Sequence, residues 1–159
     1  MSDKYPITEG GKEKIEKELE HLIKVEREQL KTTIAEAREL GDLKENAEYH
    51  SAKEKQSLVE GRISQLQGII AKAQVIKVSE VESDKIVFGA TVTLYDTEKD
   101  TEVTYQLVGQ DESDMSQGKI SYTSPIGKAL MGKEEGDQVT VKAPKGDVEY
   151  EVVSFEFKD

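Results

Sequence analysis

Ala37-Arg38-Glu39-Leu40-Gly41-Asp42-Leu43-Lys44-Glu45-Asn46-Ala47-Glu48-Tyr49 separates two long helix-forming runs, and its reading decides the architecture. Upstream, Lys12 to Leu40 holds neither glycine nor proline, and most of its residues favour helix. Ile15, Leu19, Ile23, Leu30, Ile34 and Ala37 share one stripe, with Glu26 filling its gap. The steps average about 3.67 residues, the period of a nearly straight helix. Thr8, ahead of Gly10-Gly11, is a candidate cap for its start, and Gly41 suits the residue that closes it. Downstream, a second helix is expected from Leu43 to about Ala73. Its stripe is Ala52, Val59, Ile63, Leu66, Ile70 and Ala73, weakened but not ended by Gly61 and Gly68. Each helix would be roughly 45 Å long. Neither can bury its stripe alone, and the connection is short, so the two pack antiparallel. The expected element is an antiparallel α-helical coiled-coil hairpin, a finger with Leu40-Gly41-Asp42-Leu43 at its far end.

Asp42 and Glu45 stand three apart at that end, so both carboxylates can face one side of the turn. The first reading is structural: Asp-x-x-Glu at a helix start is a variant capping box, with Asp42 as N-cap and Glu45 at N3. Acidic residues there also suit the positive end of the helix dipole. The second reading is chemical. Two projecting carboxylates can ligate a hard cation such as Mg²⁺, but they are too few to hold it tightly, and a partner would have to complete the octahedron. Spacing leaves both readings open.

Composition narrows the classes. The chain has 159 residues, 22 basic and 33 acidic, for a formal charge of −11. It contains no cysteine, which excludes disulfide scaffolds, thiolate zinc sites and cysteine nucleophiles. No apolar run approaches the ~18 residues of a membrane span, and the N-terminus has no signal-peptide core, so a soluble, cytoplasmic protein is expected. The negative charge argues against a broad basic face for duplex nucleic acid. Charge is uneven: residues 1–75 carry 13 basic and 15 acidic side chains, residues 76–159 carry 9 and 18. Such asymmetry suggests two modules, here 1–76 for the finger and 77–159 for a globular domain.

The second half reads as strands. Val75 to Val78, Ile86 to Tyr95, Glu102 to Val108, Lys119 to Thr123, Gln138 to Lys142 and Val148 to Phe157 are β-branched or alternating. Ser124-Pro125 looks like an N-cap followed by proline at N1, opening a short helix through Leu130 that Gly132 closes. The class is therefore α+β. Asp111, Glu112 and Asp114 read as a solvated acidic loop rather than a metal cluster. Neither a phosphate-binding glycine-rich loop nor a supported Ser-His triad appears, and His21 and His50 read as surface positions.

The run Ile34 to His50 closely resembles the fingertip of bacterial transcript cleavage factors, the Gre family, and within it the GreA type. The likeness continues in Glu60-Gly61-Arg62-Ile63, Val87-Phe88-Gly89-Ala90-Thr91-Val92 and Ser124 to Lys133. It covers essentially the whole chain. The resemblance implies a finger followed by a small C-terminal domain of FKBP-like fold. It also implies a partner, bacterial RNA polymerase that has slid backwards and extruded the 3′ end of its nascent RNA into the secondary channel. In the family the finger enters that channel and presents two acids to the polymerase active centre, and Asp42 and Glu45 match them. They would help hold a weakly bound Mg²⁺, shared with the polymerase, and position the attacking water. Arg38 and Lys53 match a small basic patch that steadies the extruded RNA, and Ser124 and Pro125 lie in the segment used for docking on the polymerase. The implied protein activates another enzyme's RNA-cleaving site, is not a nuclease by itself, and is monomeric when free. The modest basic content of the finger favours the GreA type, which releases short fragments.

Three competing readings stand beside this one. A channel binder that inhibits without cleavage is disfavoured by the two intact acids. A peptidyl-prolyl isomerase rests on fold alone, which does not confer activity. A coiled-coil chaperone leaves the matched tip string unexplained.

Overall fold

The computed structural model describes residues 4–41 and 46–158. The chain divides into two compact units, one over residues 12–73 and one joining the stretch up to Gly11 with residues from Gln74 onward. Of the described residues, 4–11 pack with the sheet unit.

The first arm of the helical unit is α1 (Glu9–His21) from Lys12 onward, a single π-helical turn over Leu22–Glu26, and α2 (Arg27–Arg38). The second arm is α3 (Ala47–Lys72). α3 buries Ala52, Val59, Ile63 and Leu66, on the stripe that its periodicity predicts. The first arm departs from expectation. Its buried positions are Ile15, Leu22, Leu30 and Ala37, whereas Ile23 is only half-buried. The cause is the π turn, in which the Arg27 N–H bonds the Leu22 carbonyl five residues back. One extra residue enters the turn and rotates the helix beyond it. The buried steps run seven, eight, seven, and the inserted residue keeps Leu30 and Ala37 facing α3. The straight helix expected from the sequence would put Ile23 in that seam.

Two ion pairs cross between the arms. Arg27 grips Glu60 through Nε and Nη2, both at 2.8 Å. Arg62 grips Glu18 at 2.6 and 3.0 Å. Bidentate geometry fixes guanidinium and carboxylate in one plane, so each pair sets the axial register of the two arms.

The other unit holds β1 (Tyr5–Thr8) paired with β2 (Ala73–Ile76), and a five-stranded sheet in the order β5-β4-β3-β7-β6. Here β3 is Thr91–Asp96, β4 Thr101–Val108, β5 Lys119–Ser121, β6 Gln138–Ala143 and β7 Gly146–Glu156. β3 runs antiparallel to both β4 and β7, while β4 and β5 are parallel. β6 and β7 form a hairpin whose two-residue loop is Pro144-Lys145, with Gly146 at φ +123°. Helix α4 (Pro125–Leu130) covers one face, and Val92, Leu94, Leu107, Ile120, Leu130, Val139 and Val152 form the core. The α+β class stands.

The strand expected over Ile86 to Tyr95 begins only at Thr91. Gly89 takes φ +93°, a conformation open to glycine and not to a strand residue. Its amide reaches the Leu107 carbonyl at 2.9 Å, while the Ala90 N–H turns back to Val87 at 3.1 Å. Ile86 instead bonds across to Gly132 and Lys133, at 2.7 and 2.8 Å, fastening the segment beyond α4.

Candidate functional site

The last turn of α2 ends at Arg38, and Gly41 follows at φ +131°. The other arm starts with Asn46 as N-cap, its side-chain oxygen accepting the Tyr49 N–H at 3.0 Å. The Asn46 amide group also donates to the Ala37 carbonyl. One side chain therefore satisfies a donor at the start of α3 and an acceptor at the end of α2.

This corrects the capping-box reading of Asp42 and Glu45. The residue that caps α3 is Asn46, and N3 is Tyr49, not Glu45. Asp42 and Glu45 themselves lie outside the described residues; in the chain they fall between Gly41 and Asn46. Sequence reasoning missed Asn46 because Asp42 offered an equally good cap four residues earlier. The available signal was Asn46 itself, a preferred capping type immediately before a helix-forming run.

Arg38 closes α2 with its guanidinium carbon 5.9 Å from the centroid of the Tyr49 ring. The Tyr49 ring in turn meets His50 edge-on at 5.5 Å. Lys53 sits one and a half turns into α3, exposed, with its ammonium donating to Gln56 at 3.1 Å. Arg38 and Lys53 thus stand on opposite arms of the hairpin, each with its own side-chain partner. Among the described residues no group of three or more His, Asp or Glu side chains is placed to hold a metal ion. Nor is any described helix long and apolar enough to cross a membrane.

Ser124 and Pro125 lie in the sheet unit. Ser124 caps α4 as the sequence predicts: its hydroxyl accepts the Gly127 N–H at 3.1 Å and donates to the Ser121 carbonyl at 2.6 Å. Pro125 occupies the first helical turn and is exposed. Ser124 and Ile126 border a cavity of about 320 Å³ with Met115 and Ile120, and Met115 is 67% exposed.

The acidic loop is solvated at Asp111, as expected, but not at Glu112. Glu112 is 6% exposed. Its carboxylate accepts the Gly109 N–H at 2.9 Å, the Thr8 N–H at 3.1 Å and the Thr8 hydroxyl. The Thr8 hydroxyl also accepts the Gly11 N–H at 3.0 Å, so Thr8 does cap α1. Tyr5 donates to Asp111, and the Asp111 N–H returns to the Tyr5 hydroxyl at 3.1 Å. Asp114 caps a short turn through Ser116. Glu112 and Asp111 are fasteners for the N-terminal strand. Nothing within the loop itself distinguished Glu112, whose partner Thr8 lies 104 residues away.

A helical hairpin and a sheet domain with these end structures define a class that comparison makes specific. Residues 5–75 match the family described as transcription elongation factor, N-terminal, and residues 81–157 match transcription elongation factor, GreA/GreB, C-term. The chain is 52% identical over 158 residues to transcription elongation factor GreA of Thermodesulfovibrio yellowstonii, covering 99% of this chain and 100% of that protein. It is 55% identical over 155 residues to GreA of Alkalilimnicola ehrlichii, covering 97% and 98%. Among solved structures, GreA factor homolog 1 of Thermus thermophilus is similar at 27% identity and a TM-score of 0.45, covering 96% and 99%. The chain belongs to the GreA/GreB family of transcription elongation factors and, with such relatives along its whole length, is of the GreA type.

Proposed function

We propose that the finger enters the secondary channel of backtracked bacterial RNA polymerase and stimulates cleavage of the nascent RNA 3′ end. Asp42 and Glu45 are the acting acids. The observation that carries this is the Asn46 cap: with the start of α3 already satisfied, the two carboxylates are not needed to cap it. Hard carboxylate oxygens fit Mg²⁺, and a pair is too few for an independent site, which suits an ion completed by the polymerase. When bound, that ion supplies charge stabilisation and a more acidic water.

The chain's own residues divide the remaining work. Asp42 and Glu45 contribute ligand oxygens and orient the water. Arg38 and Lys53, positive and on opposite arms, steady the phosphate chain of the extruded RNA. Ser124 and Pro125, at the capped start of α4, dock the sheet unit on the polymerase. The factor is a cytoplasmic activator of the polymerase's cleavage and is not a nuclease alone.

The test uses a purified backtracked polymerase complex with 3′-labelled RNA and Mg²⁺. Intact protein is compared with Asp42→Ala and Glu45→Ala, with binding of all three checked by competition. The reading expects rapid release of short labelled fragments with the intact protein only. Equal stimulation by all three would remove Asp42 and Glu45 from the cleavage step, and no stimulation by three binding-competent proteins would leave a channel binder without a role in cleavage.

A further inference from the structure

Four residues below the tip form a closed circuit. The carbonyl of Ala37, the residue before Arg38, accepts from the Asn46 side chain. The same side chain fixes the Tyr49 amide at 3.0 Å. The half-buried Tyr49 ring, set by that turn and flanked edge-on by His50, lies 5.9 Å from the Arg38 guanidinium. The last link returns to the residue next to the first. Every bond in the circuit joins α2 to α3 or fixes the first turn of α3.

An exposed arginine ordinarily spreads over many rotamers, and contact with an aromatic face selects the few that lay the guanidinium beside the ring. Among the described residues no hydrogen bond or ion pair engages its N–H edges, which suit phosphate oxygens. We propose that Tyr49 and Asn46 are positioning residues: Tyr49 holds the Arg38 guanidinium, and Asn46 holds Tyr49 and the end of α2 at the separation that permits this. The inference rests on the cleavage-stimulating reading above, in which Arg38 meets the transcript. Lys53, whose partner is Gln56 on its own helix, has no such support across the hairpin among the hydrogen bonds and ring contacts described.

The experiment has one arm without polymerase and one with it. In the free protein, ring current should shift the Arg38 side-chain protons; the shift should survive Tyr49→Phe and vanish in Tyr49→Leu. In the backtracked complex, Tyr49→Leu should lower the maximal cleavage rate about two- to fivefold, the size of an exposed cation–π contact. The factor concentration giving half-maximal stimulation should stay unchanged, and Tyr49→Phe should behave as the intact protein. Asn46→Asp keeps the cap acceptor but loses the donation to Ala37, and should share the Tyr49→Leu defect. In an Arg38→Ala background, Tyr49→Leu should cost nothing further. The same fractional loss with and without Arg38 would overturn the inference, as would a Tyr49→Phe as defective as Tyr49→Leu. Asp42→Ala runs alongside: if intact protein stimulates, Asp42→Ala does not, and Tyr49→Leu matches intact, only the positioning inference fails. If intact protein gives no stimulation, the function reading fails with it.

Discussion

The Glu112 carboxylate accepts both the backbone N–H and the hydroxyl of Thr8, 104 residues away in the chain. It is buried, and it also holds the Gly109 amide at 2.9 Å. Gly11 lies so close that a Cβ there would stand 2.1 Å from the carboxyl group. Replacing Glu112 by Gln turns one acceptor oxygen into an NH₂ facing donors. About 1–3 kcal/mol of stability should be lost, read as a lower denaturation midpoint of the full chain. Amide exchange should accelerate at Thr8 and Gly109 before it does in the sheet core. Unchanged exchange at both amides would mean that the contact contributes nothing.

Glu18 and Arg62 tie the two arms together, and the guanidinium bonded to Glu18 holds its carboxyl below the usual value, partly opposed by burial. A depressed folded value means that the contribution is present above the unfolded carboxylate range, near pH 4.5, and is lost as pH falls through the folded value. Both side chains are more than a third exposed, so screening limits the pair to about 0.2–1 kcal/mol. Arg62→Ala should therefore lower the stability of the finger modestly at pH 7 and less at pH 3, measured by helix unfolding. A loss that is equal at both pH values would assign the effect to packing of the arginine stem.

The finger and the sheet were legible because their signals are periodic and local. Ala52, Val59, Ile63 and Leu66 show the seam of α3 at first sight, and Ser124-Pro125 shows the start of α4. What escaped depends on partners distant in the chain or on phase. Leu22 replaces Ile23 in the core through one π turn, which no count of apolar residues reveals. Asn46 caps α3 while its amide also reaches Ala37, a contact that exists only once the arms are paired. Gly89 ends a β-branched run through its positive φ, where propensity alone continues the strand.

Tyr5 should make the N-terminal strand sensitive to alkali. Burial, followed by its hydrogen bond to Asp111, raises the phenol well above its ordinary value of 10.0. A raised folded value leaves the contribution complete below pH 10 and removes it as pH climbs beyond. Tyr5→Phe should therefore lose stability relative to the intact protein at pH 8, with the difference narrowing above about pH 10. The comparison is made by denaturation of both proteins at each pH, because Tyr95 and Tyr150 are also raised and cancel between them. A constant difference across that range would show that folding does not raise the Tyr5 phenol above its unfolded value.

Glycines in the two units should respond in opposite ways to alanine. Gly61 and Gly68 lie inside α3 with open space where a Cβ would project. Each Gly→Ala change should stabilise the finger by about 0.5–1 kcal/mol, since alanine favours helix and restricts the unfolded chain. Gly127 is buried in α4, and a Cβ there would stand 2.2 Å from the Ser121 carbonyl oxygen and 2.9 Å from the Tyr122 backbone. Both obstacles are main chain, so the helix must lift, at a cost of about 1–3 kcal/mol. Lifting α4 also displaces the Ser124 cap, whose hydroxyl is bonded to Ser121 and to Gly127 itself. If Ser124 and Pro125 dock on polymerase, Gly127→Ala should weaken competition for polymerase at temperatures where the sheet unit remains folded. Gly61→Ala should leave that competition unchanged. Weakened binding by both variants would place the docking surface elsewhere, since only one of them disturbs α4.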